Sequence, residues 1–208
     1  MTKIKLPPYH KLESRFRVNL FQSVIGSRPV HLIGTRSSKG IANLAVFSSV
    51  MHLGSNPPYY GFISRPETVR RDTLSNIRQT GFFTINSIQA SILEKSHQTS
   101  GKYPEDSNEF EMVGLTEIYP DEFLAPAVGE SIVTIGLELH KIIPLEMNDT
   151  QMVIGSVMEV WVEDKFVDEE GFLQIDSNDP VLGVLGSDHY QQSRDFRRMP
   201  YIGKVTED

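Results

Sequence analysis

Hydroxyl, amide and cationic side chains are concentrated in the first half of the chain. The segment GTRSSKGIANLAVFSSVMHLGSN at residues 34–56 carries serines, a threonine and asparagines among apolar residues that can form a core. Further donors and cations follow it: Arg65, Arg70, Arg71, Thr73, Ser100 and Lys102. A phosphate group needs hydroxyl donors, backbone amides at a helix start and one or two cations. Because Ser, Thr and Asn also favour turns and helix caps, the residues alone leave two interpretations open, a ligand cradle or local turn chemistry.

Motifs for other kinds of chemistry are missing from the sequence. The six histidines show no H-x-x-x-H spacing and no accompanying carboxylate pattern, so we expect no metal site. There is no G-x-G-x-x-G, and Lys39 and Gly40 stand in the wrong order for a phosphate loop. The sequence has neither a G-x-S-x-G elbow nor a cysteine, so it gives no support for a serine hydrolase and excludes a cysteine nucleophile.

Composition narrows the possible partners. The net charge of −7 would repel a phosphate backbone, and no long basic stripe offsets it, so we expect no nucleic-acid partner. No run of roughly 18 apolar residues is present, which argues against a membrane span. The first residues lack the apolar core of a signal peptide, and the expected compartment is the cytoplasm.

The elements that position the polar residues are predicted to be mainly β-strands. Residues 28–36 and 41–50 alternate like two strands joined by a turn at 37–40, and Pro57-Pro58 precedes a further strand. Two helices are predicted, one at 66–80 with its best-formed part from Asp72 or Thr73 and its end at Gly81, and one at 89–99. The remaining predicted strands cover 82–88, 131–146, 151–163 and 172–176. Several strands with two inserted helices indicate a closed or split barrel rather than a parallel α/β sheet.

The order of motifs between residues 28 and 86 resembles a known family. The pattern is an R-P start, a strand ending in threonine, G-x-x-N with a serine following, a P-P pair, D-T-x-x-N-I and G-x-F-x-x-N. The matching residues are Arg28-Pro29, Thr35, Gly40, Asn43, Ser48-Ser49, Pro57-Pro58, Asp72-Thr73, Asn76-Ile77, Gly81, Phe83 and Asn86. SGKYPEDSNEFEMVGLT and APAVGES match later parts of the same pattern. The series resembles the flavin reductase-like, flavoredoxin-type proteins with an FMN-binding split barrel.

The resemblance implies a mainly β fold with inserted helices: a six-stranded, Greek-key split β-barrel that forms a homodimer with FMN near the subunit interface. It divides the chain into an N-terminal arm (1–27), a flavin reductase-like domain (28–190) and a C-terminal tail (191–208). The arm either closes over the partner subunit's pocket with Tyr9, His10 and Arg15 or packs on the barrel.

The resemblance also implies the site residues. Thr35, Arg36, Asn43, Leu44 and Ala45 would border the isoalloxazine ring, largely through backbone groups. Contacts to the ribityl chain and phosphate are expected from Ser48, Ser49, Arg65, Thr73, Ser100 and Lys102. The catalytic residue stays unknown, with His189 as a candidate for the nicotinamide or substrate side of the flavin, or else a surface residue.

The activity implied is hydride transfer from NADH or NADPH to non-covalently bound FMN and then to a small-molecule or flavin acceptor. Because the cofactor performs the redox step, no acid–base motif is required of the protein. The alternative is an FMN-binding electron carrier or flavin-storage protein without NAD(P)H activity. A third possibility is a dimeric scaffold that has lost the cofactor.

Overall fold

The computed structural model describes residues 5–104, 106–174 and 178–192, and its architecture is mainly β. The strands assigned in these ranges are β1 (Arg28–Pro29), β2 (His31–Arg36), β3 (Ala42–Phe47), β4 (Met51–Ser55), β5 (Pro58–Ser64), β6 (Phe82–Ser87), β7 (Glu117–Ile118), β8 (Ala127–Val128), β9 (Val133–Leu145), β10 (Thr150–Val162), β11 (Leu182–Leu185) and β12 (His189–Gln192). The α-helices are α1 (Ser14–Ser23), α2 (Asp72–Thr80), α3 (Leu93–Gln98) and α4 (Glu109–Val113). Short 3-10 turns lie at Tyr9–Lys11, Ala90–Ile92, Pro120–Glu122 and Asp164–Phe166. Within the described ranges no helix is long and apolar enough to cross a membrane.

The main sheet has seven antiparallel strands in the order β3-β2-β6-β9-β10-β5-β4. Its two edge strands, β3 and β4, are joined only by residues 48–50. Such a short link forces the sheet to curl until its edges approach, which produces a barrel with a split. The hydroxyl of Ser49 lies at this split, where it accepts from Ile63 N at 3.1 Å and donates to Ile63 O at 3.2 Å. The expected split barrel is therefore confirmed, with a seventh strand.

The alternation of β2 and β3 separates two apolar clusters. Leu32 and Leu44 belong to a cluster that includes Phe110 of α4, whereas Ile33 packs in a second cluster with Phe83. The second cluster also holds Leu74 and Ile77 of α2, Phe62 of β5, Leu137 of β9 and Val153 of β10. The sheet is thus buried on both faces around β2, and the polar side chains of β3 start from a rigid, fully packed strand.

Close packing inside the barrel requires glycine at Gly155. A Cβ atom there would lie 2.6 Å from the ring of Phe83, well inside ordinary contact distance. Gly155 also coincides with a register shift in the β9–β10 ladder, after the pair Ile154 and Lys141. The long β9–β10 hairpin therefore bends around the Phe83 ring.

The helix expected at 66–80 begins only at Asp72, so its first six residues were predicted wrongly. Arg71 has a non-helical backbone, and its Nε donates to the carbonyl of Pro66 at 3.1 Å. Val69, at helical spacing from Leu74 and Ile77, is half exposed and does not pack in either core cluster. The predicted end is correct, because Gly81 has φ of 80° and donates to the carbonyl of Ile77.

Three further elements differ from expectation. Residues 41–50 were expected to form one strand, but β3 ends at Phe47 and a separate strand, β4, follows. The short helix α4 was not among the predicted elements, and its N-terminus is capped by the side chain of Asn108. The strand expected at 172–176 is reduced to one bridge between Leu173 and Val167, and residues 175 and 176 lie outside the described ranges.

Candidate functional site

A cavity of about 690 Å³ lies along β3 and the link that follows it. Its wall is completed by the segment that leads into α2, by residues 99–103 and by the β11–β12 hairpin. This volume falls within the range of roughly 300–1,000 Å³ that is typical of small-molecule sites. The cavity is therefore built from segments far apart in the chain, all of which meet at the split of the barrel.

Nine of the eleven residues expected to bind the cofactor line this cavity. They are Asn43, Leu44, Ala45, Ser48, Ser49, Arg65, Thr73, Ser100 and Lys102. Their convergence supports a ligand cradle over turn chemistry, although several of these side chains are already engaged within the protein. Which of them contact a ligand stays a prediction.

A buried network of amides and hydroxyls fixes the start of β3. Thr35 Oγ1 accepts from Asn43 Nδ2 at 3.0 Å and from Asn76 Nδ2 at 3.2 Å. Asn43 Nδ2 also donates to Thr73 Oγ1 at 3.2 Å. Thr35 is fully buried and does not line the cavity, so it fixes the Asn43 side chain without facing the cavity itself. Asn43 Oδ1 and the Thr73 hydroxyl proton make no hydrogen bond within the described ranges, which leaves both for a ligand.

Arg36 and His189 lie away from the cavity wall. Arg36 Nε donates to the carbonyl of Gly40 at 3.2 Å, and its guanidinium lies 5.5 Å from the ring centroid of Tyr119. The side chain of His189 is 81% exposed and pairs with Asp188. The neighbouring Tyr190 lines the cavity instead, and its hydroxyl is 2.9 Å from His97 Nδ1.

The serines at the split are not equivalent. Ser49 uses its hydroxyl in both directions to bind the backbone of Ile63, which ties β5 to the β3–β4 link. Ser48 makes no such contact among the residues that the structure describes, and it also lines the cavity. Ser100 donates to the carbonyl of His97 at 2.7 Å, so its hydroxyl oxygen is available mainly as an acceptor. Ser48 is therefore the better hydroxyl donor for an anion.

The edge of β3 brings backbone groups to the cavity. β3 pairs with β2 on one side only, and Leu44 N points away from β2 to donate to Glu109 Oε2 at 3.3 Å. In an antiparallel pair, alternate residues direct their N–H and C=O groups away from the partner strand. Val46 therefore presents its backbone N–H on the same side as Leu44, which gives a planar ligand a row of donors and acceptors.

Cations outnumber carboxylates on the cavity wall. The lining residues in the described ranges include five cations and two carboxylates: Arg28, Arg65, Arg70, Arg71, Lys102, Asp72 and Glu109. Arg70 pairs with Asp72 at 2.8 Å, whereas Arg65 and Lys102 make no ion pair or hydrogen bond to any described residue. In a chain with net charge −7, this cluster is a local site for an anion.

Arg28 gives a further sign of a missing partner. Its Nη2 donates to the carbonyl of Gly186 at 2.8 Å, while its Nε is buried with no hydrogen-bond partner among the described residues. A buried, unsatisfied guanidinium nitrogen is costly, so a ligand acceptor near Arg28 would stabilise the site. Sequence reasoning identified Arg28 only as part of a motif, because its burial depends on the distant β11–β12 hairpin.

Glu109 is the other residue that sequence reasoning missed. It is 7% exposed and lines the cavity, and burial raises the pKa of its carboxyl, with the charge of Asp72 adding to the effect. In the sequence, Glu109 is only one residue of the matching segment SGKYPEDSNEFEMVGLT. Its burial follows from the packing of Phe110 and Val113 into the core, which turns the start of α4 toward β3.

The curled antiparallel sheet, with a cation-rich cavity at its split, defines a split-barrel protein. A family model for the flavin reductase like domain matches residues 26–183. A split-barrel protein of Shewanella frigidimarina, named as a candidate flavin reductase, is 40% identical with a TM-score of 0.88 over 93% of this chain and 96% of its own. Component B of nitrilotriacetate monooxygenase from Bacillus cereus is 20% identical with a TM-score of 0.84 over 96% and 100% of the two chains.

An FMN-binding protein from Thermus thermophilus shares the fold at 16% identity, with a TM-score of 0.70 over 96% of this chain and 98% of its own. The family match covers more than half of the present chain. The chain therefore belongs to the flavin reductase like family, and the resemblance found in its sequence is confirmed.

Proposed function

We propose that this protein is an FMN-dependent oxidoreductase that takes hydride from NADH or NADPH and passes electrons to a second acceptor. The observation that carries the proposal is the cavity at the split, where the β3 edge faces inward and Arg65 and Lys102 lack partners among the described residues. Family membership and the FMN-binding neighbour support a flavin as the ligand. The monooxygenase component among the neighbours supports a role as a donor of electrons.

The residues of the cavity fit the parts of FMN. Arg65, Lys102 and Ser48 would hold the phosphate, because two cations without partners and a hydroxyl donor suit a dianion. Thr73 can donate to the ribityl chain and Ser100 can accept from it. With these roles assigned, the isoalloxazine ring would lie along the β3 edge.

The β3 edge suits the polar side of an isoalloxazine ring. Asn43 offers Oδ1, and the strand offers backbone groups from Leu44 onward, all held by the buried network around Thr35. When bound, FMN supplies the hydride-accepting and electron-transferring chemistry. The protein itself would orient the ring with these fixed donors and limit the access of water. Tyr103 and Tyr190 on the cavity wall would limit that access.

The proposal is tested by anaerobic reduction of the purified protein loaded with FMN. We expect the flavin absorbance to bleach when NADH or NADPH is added, and to return when an acceptor such as a quinone or free flavin is supplied. Yellow protein that stays oxidised with both nucleotides would support the electron carrier or storage protein instead. Protein that takes up no FMN would exclude both functions.

A blocked variant provides the matched control. Ala45 lines the cavity on β3, and Ala45→Trp would fill part of the space that the ring needs. We expect this variant to remain folded by far-UV circular dichroism while losing FMN. Equal loading of the variant and the wild type would place the flavin elsewhere.

We also propose that two copies associate, with residues 1–27 as an arm, 28–190 as the flavin reductase-like domain and 191–208 as a tail. The support is the apolar surface of α1, where Phe16, Val18 and Phe21 are each about half exposed in the single chain. Sedimentation equilibrium should give the mass of two chains. The mass of one chain, of 23.5 kDa, would contradict the association.

A further inference from the structure

Glu109, at the start of α4, borders two cavities. It lines the large cavity along β3, and it also lines a second, smaller cavity of about 160 Å³. Asn43 and Asp72 are shared by the two cavities in the same way. Glu109 is thus a buried carboxyl where the proposed flavin site and the smaller cavity meet.

The smaller cavity has a polar wall and an exposed mouth. Its lining, apart from Ile41 and Ala42, consists of hydroxyl, amide and charged residues: Ser37, Ser38, Lys39, Asn43, Asp72, Ser75, Asn76, Gln79, Asp106, Ser107 and Glu109. Lys39 and Asp106 face each other at 3.6 Å, and each side chain is 72% exposed. A polar space of this volume is large enough to hold water. Water in it would connect solvent with the Glu109 carboxyl.

Among the described residues, no cation forms an ion pair with Glu109. β3 contributes no titratable side chain, only the backbone N–H of Leu44. Asp72 at the start of α2 and Asp106 in the loop before α4 add negative charge, and Arg70 is paired with Asp72. Lys39 faces Asp106.

The basic side chains of α3, Lys95 and His97, contact residues other than Glu109. Lys95 donates to the carbonyl of Gly114 at 2.6 Å, and His97 contacts Tyr190. Lys102 lines only the large cavity, where the proposed phosphate site is. Burial raises the pKa of Glu109 and the charge of Asp72 adds to this effect, while the backbone hydrogen bonds from Glu109 N and Leu44 N and the charge of Arg70 lower it. Burial therefore favours the protonated form of this carboxyl more than water does.

We propose that Glu109 is the proton-exchanging residue of the flavin site. It takes up a proton from solvent through the smaller cavity when the ligand in the large cavity is reduced, and returns the proton when the ligand is reoxidised. This inference rests on the proposed function.

The charges balance in this scheme. A hydride carries two electrons and one proton, so its transfer leaves one oxidised nicotinamide and adds one negative charge to the cavity. One proton moving from water to Glu109 Oε cancels that charge. Onward transfer of the two electrons and the hydride's own proton to the acceptor removes the charge, and the carboxyl then releases its proton to solvent through the same path.

The test compares the wild type with Glu109→Gln and Glu111→Gln. Glutamine keeps the volume of Glu109 and an acceptor for Leu44 N, but cannot ionise. Glu111 is on the same helix and exposed, which makes it the matched control. FMN binding is first measured for all three by quenching of flavin fluorescence. Wild-type protein that binds no FMN would refute the proposed function itself.

For the loaded proteins, the midpoint potential of the flavin is measured across pH. When one proton is taken up with two electrons, the midpoint potential falls by about 30 mV for each unit of rising pH. The reason is that a tenfold change in proton concentration shifts a two-electron couple by this amount. We expect wild type and Glu111→Gln to show one more proton per two electrons than Glu109→Gln across the range in which Glu109 titrates. Identical pH slopes in all three would overturn the role of Glu109 while leaving flavin binding intact.

Redox-induced infrared difference spectra give a second readout that does not depend on activity. Reduction of the wild type should produce a new carboxylic acid carbonyl band that is missing from Glu109→Gln. Absence of that band in the wild type would overturn the inference, even if the glutamine variant failed to bind FMN.

Discussion

Replacing Arg65 or Lys102 should weaken binding of FMN without weakening binding of riboflavin, which lacks the phosphate. Both cations line the cavity, and neither has a partner among the described residues, so each is free to bind an anion. Hydrogen bonds to charged groups contribute about 1.5–3 kcal/mol. Because both side chains are exposed, solvent screening favours the lower value.

A loss of about 1.5 kcal/mol corresponds to roughly tenfold weaker binding for Arg65→Ala or Lys102→Ala, and to about 100-fold for the double variant if the effects add. The assay is quenching of flavin fluorescence by titration, with FMN and riboflavin in parallel at low and high salt. Arg78→Ala is the control, because Arg78 pairs with Glu67 at 2.7 Å on the exposed side of α2. Equal losses for both ligands, or unchanged FMN affinity in the double variant, would refute the phosphate assignment.

Three further changes test the structure around the site. Asn43→Ala removes hydrogen bonds to Thr35 and Thr73, so we expect about 2 kcal/mol less stability in urea and weaker FMN binding; unchanged stability would contradict the buried network. Gly155→Ala places a Cβ 2.6 Å from the Phe83 ring, and should cost about 1–3 kcal/mol in the same assay, whereas a neutral result would mean that the ring has room to move. Burial lowers the pKa of His31 to about 4 from 6.5, so the unfolded chain binds the proton first as pH falls. Wild type should therefore lose up to about 3 kcal/mol between pH 6.5 and 4 relative to His31→Gln, and parallel stability curves would show that His31 is not desolvated.

Periodicity and turn chemistry predicted the barrel well because these signals are local. The turn at 37–40 has Gly40 at φ of 86°, and Gly81 ends α2 as expected. The missed strand β4 and the shortened α2 depend on contacts that periodicity does not show. Ser49 binds the backbone of Ile63 where β3 has ended, and Arg71 binds the carbonyl of Pro66 just before α2 begins.

The sequence named most of the residues that line the cavity, but not their contacts within the protein. Alternation along β3 correctly separated Asn43 from Leu44, but could not show that Thr35 lies behind Asn43 instead of beside a ligand. The sequence could not indicate that the Ser49 hydroxyl is already used. Glu109 escaped notice because no helix was expected at this position, and only the packing of α4 against β3 buries it.

A crystal structure of the protein with FMN tests the central claim most directly. We expect one FMN in the cavity of about 690 Å³, with its phosphate within hydrogen-bonding distance of Arg65, Lys102 and Ser48 and its ring along Asn43–Ala45. FMN bound at another surface, or a phosphate that contacts none of these three residues, would contradict the account.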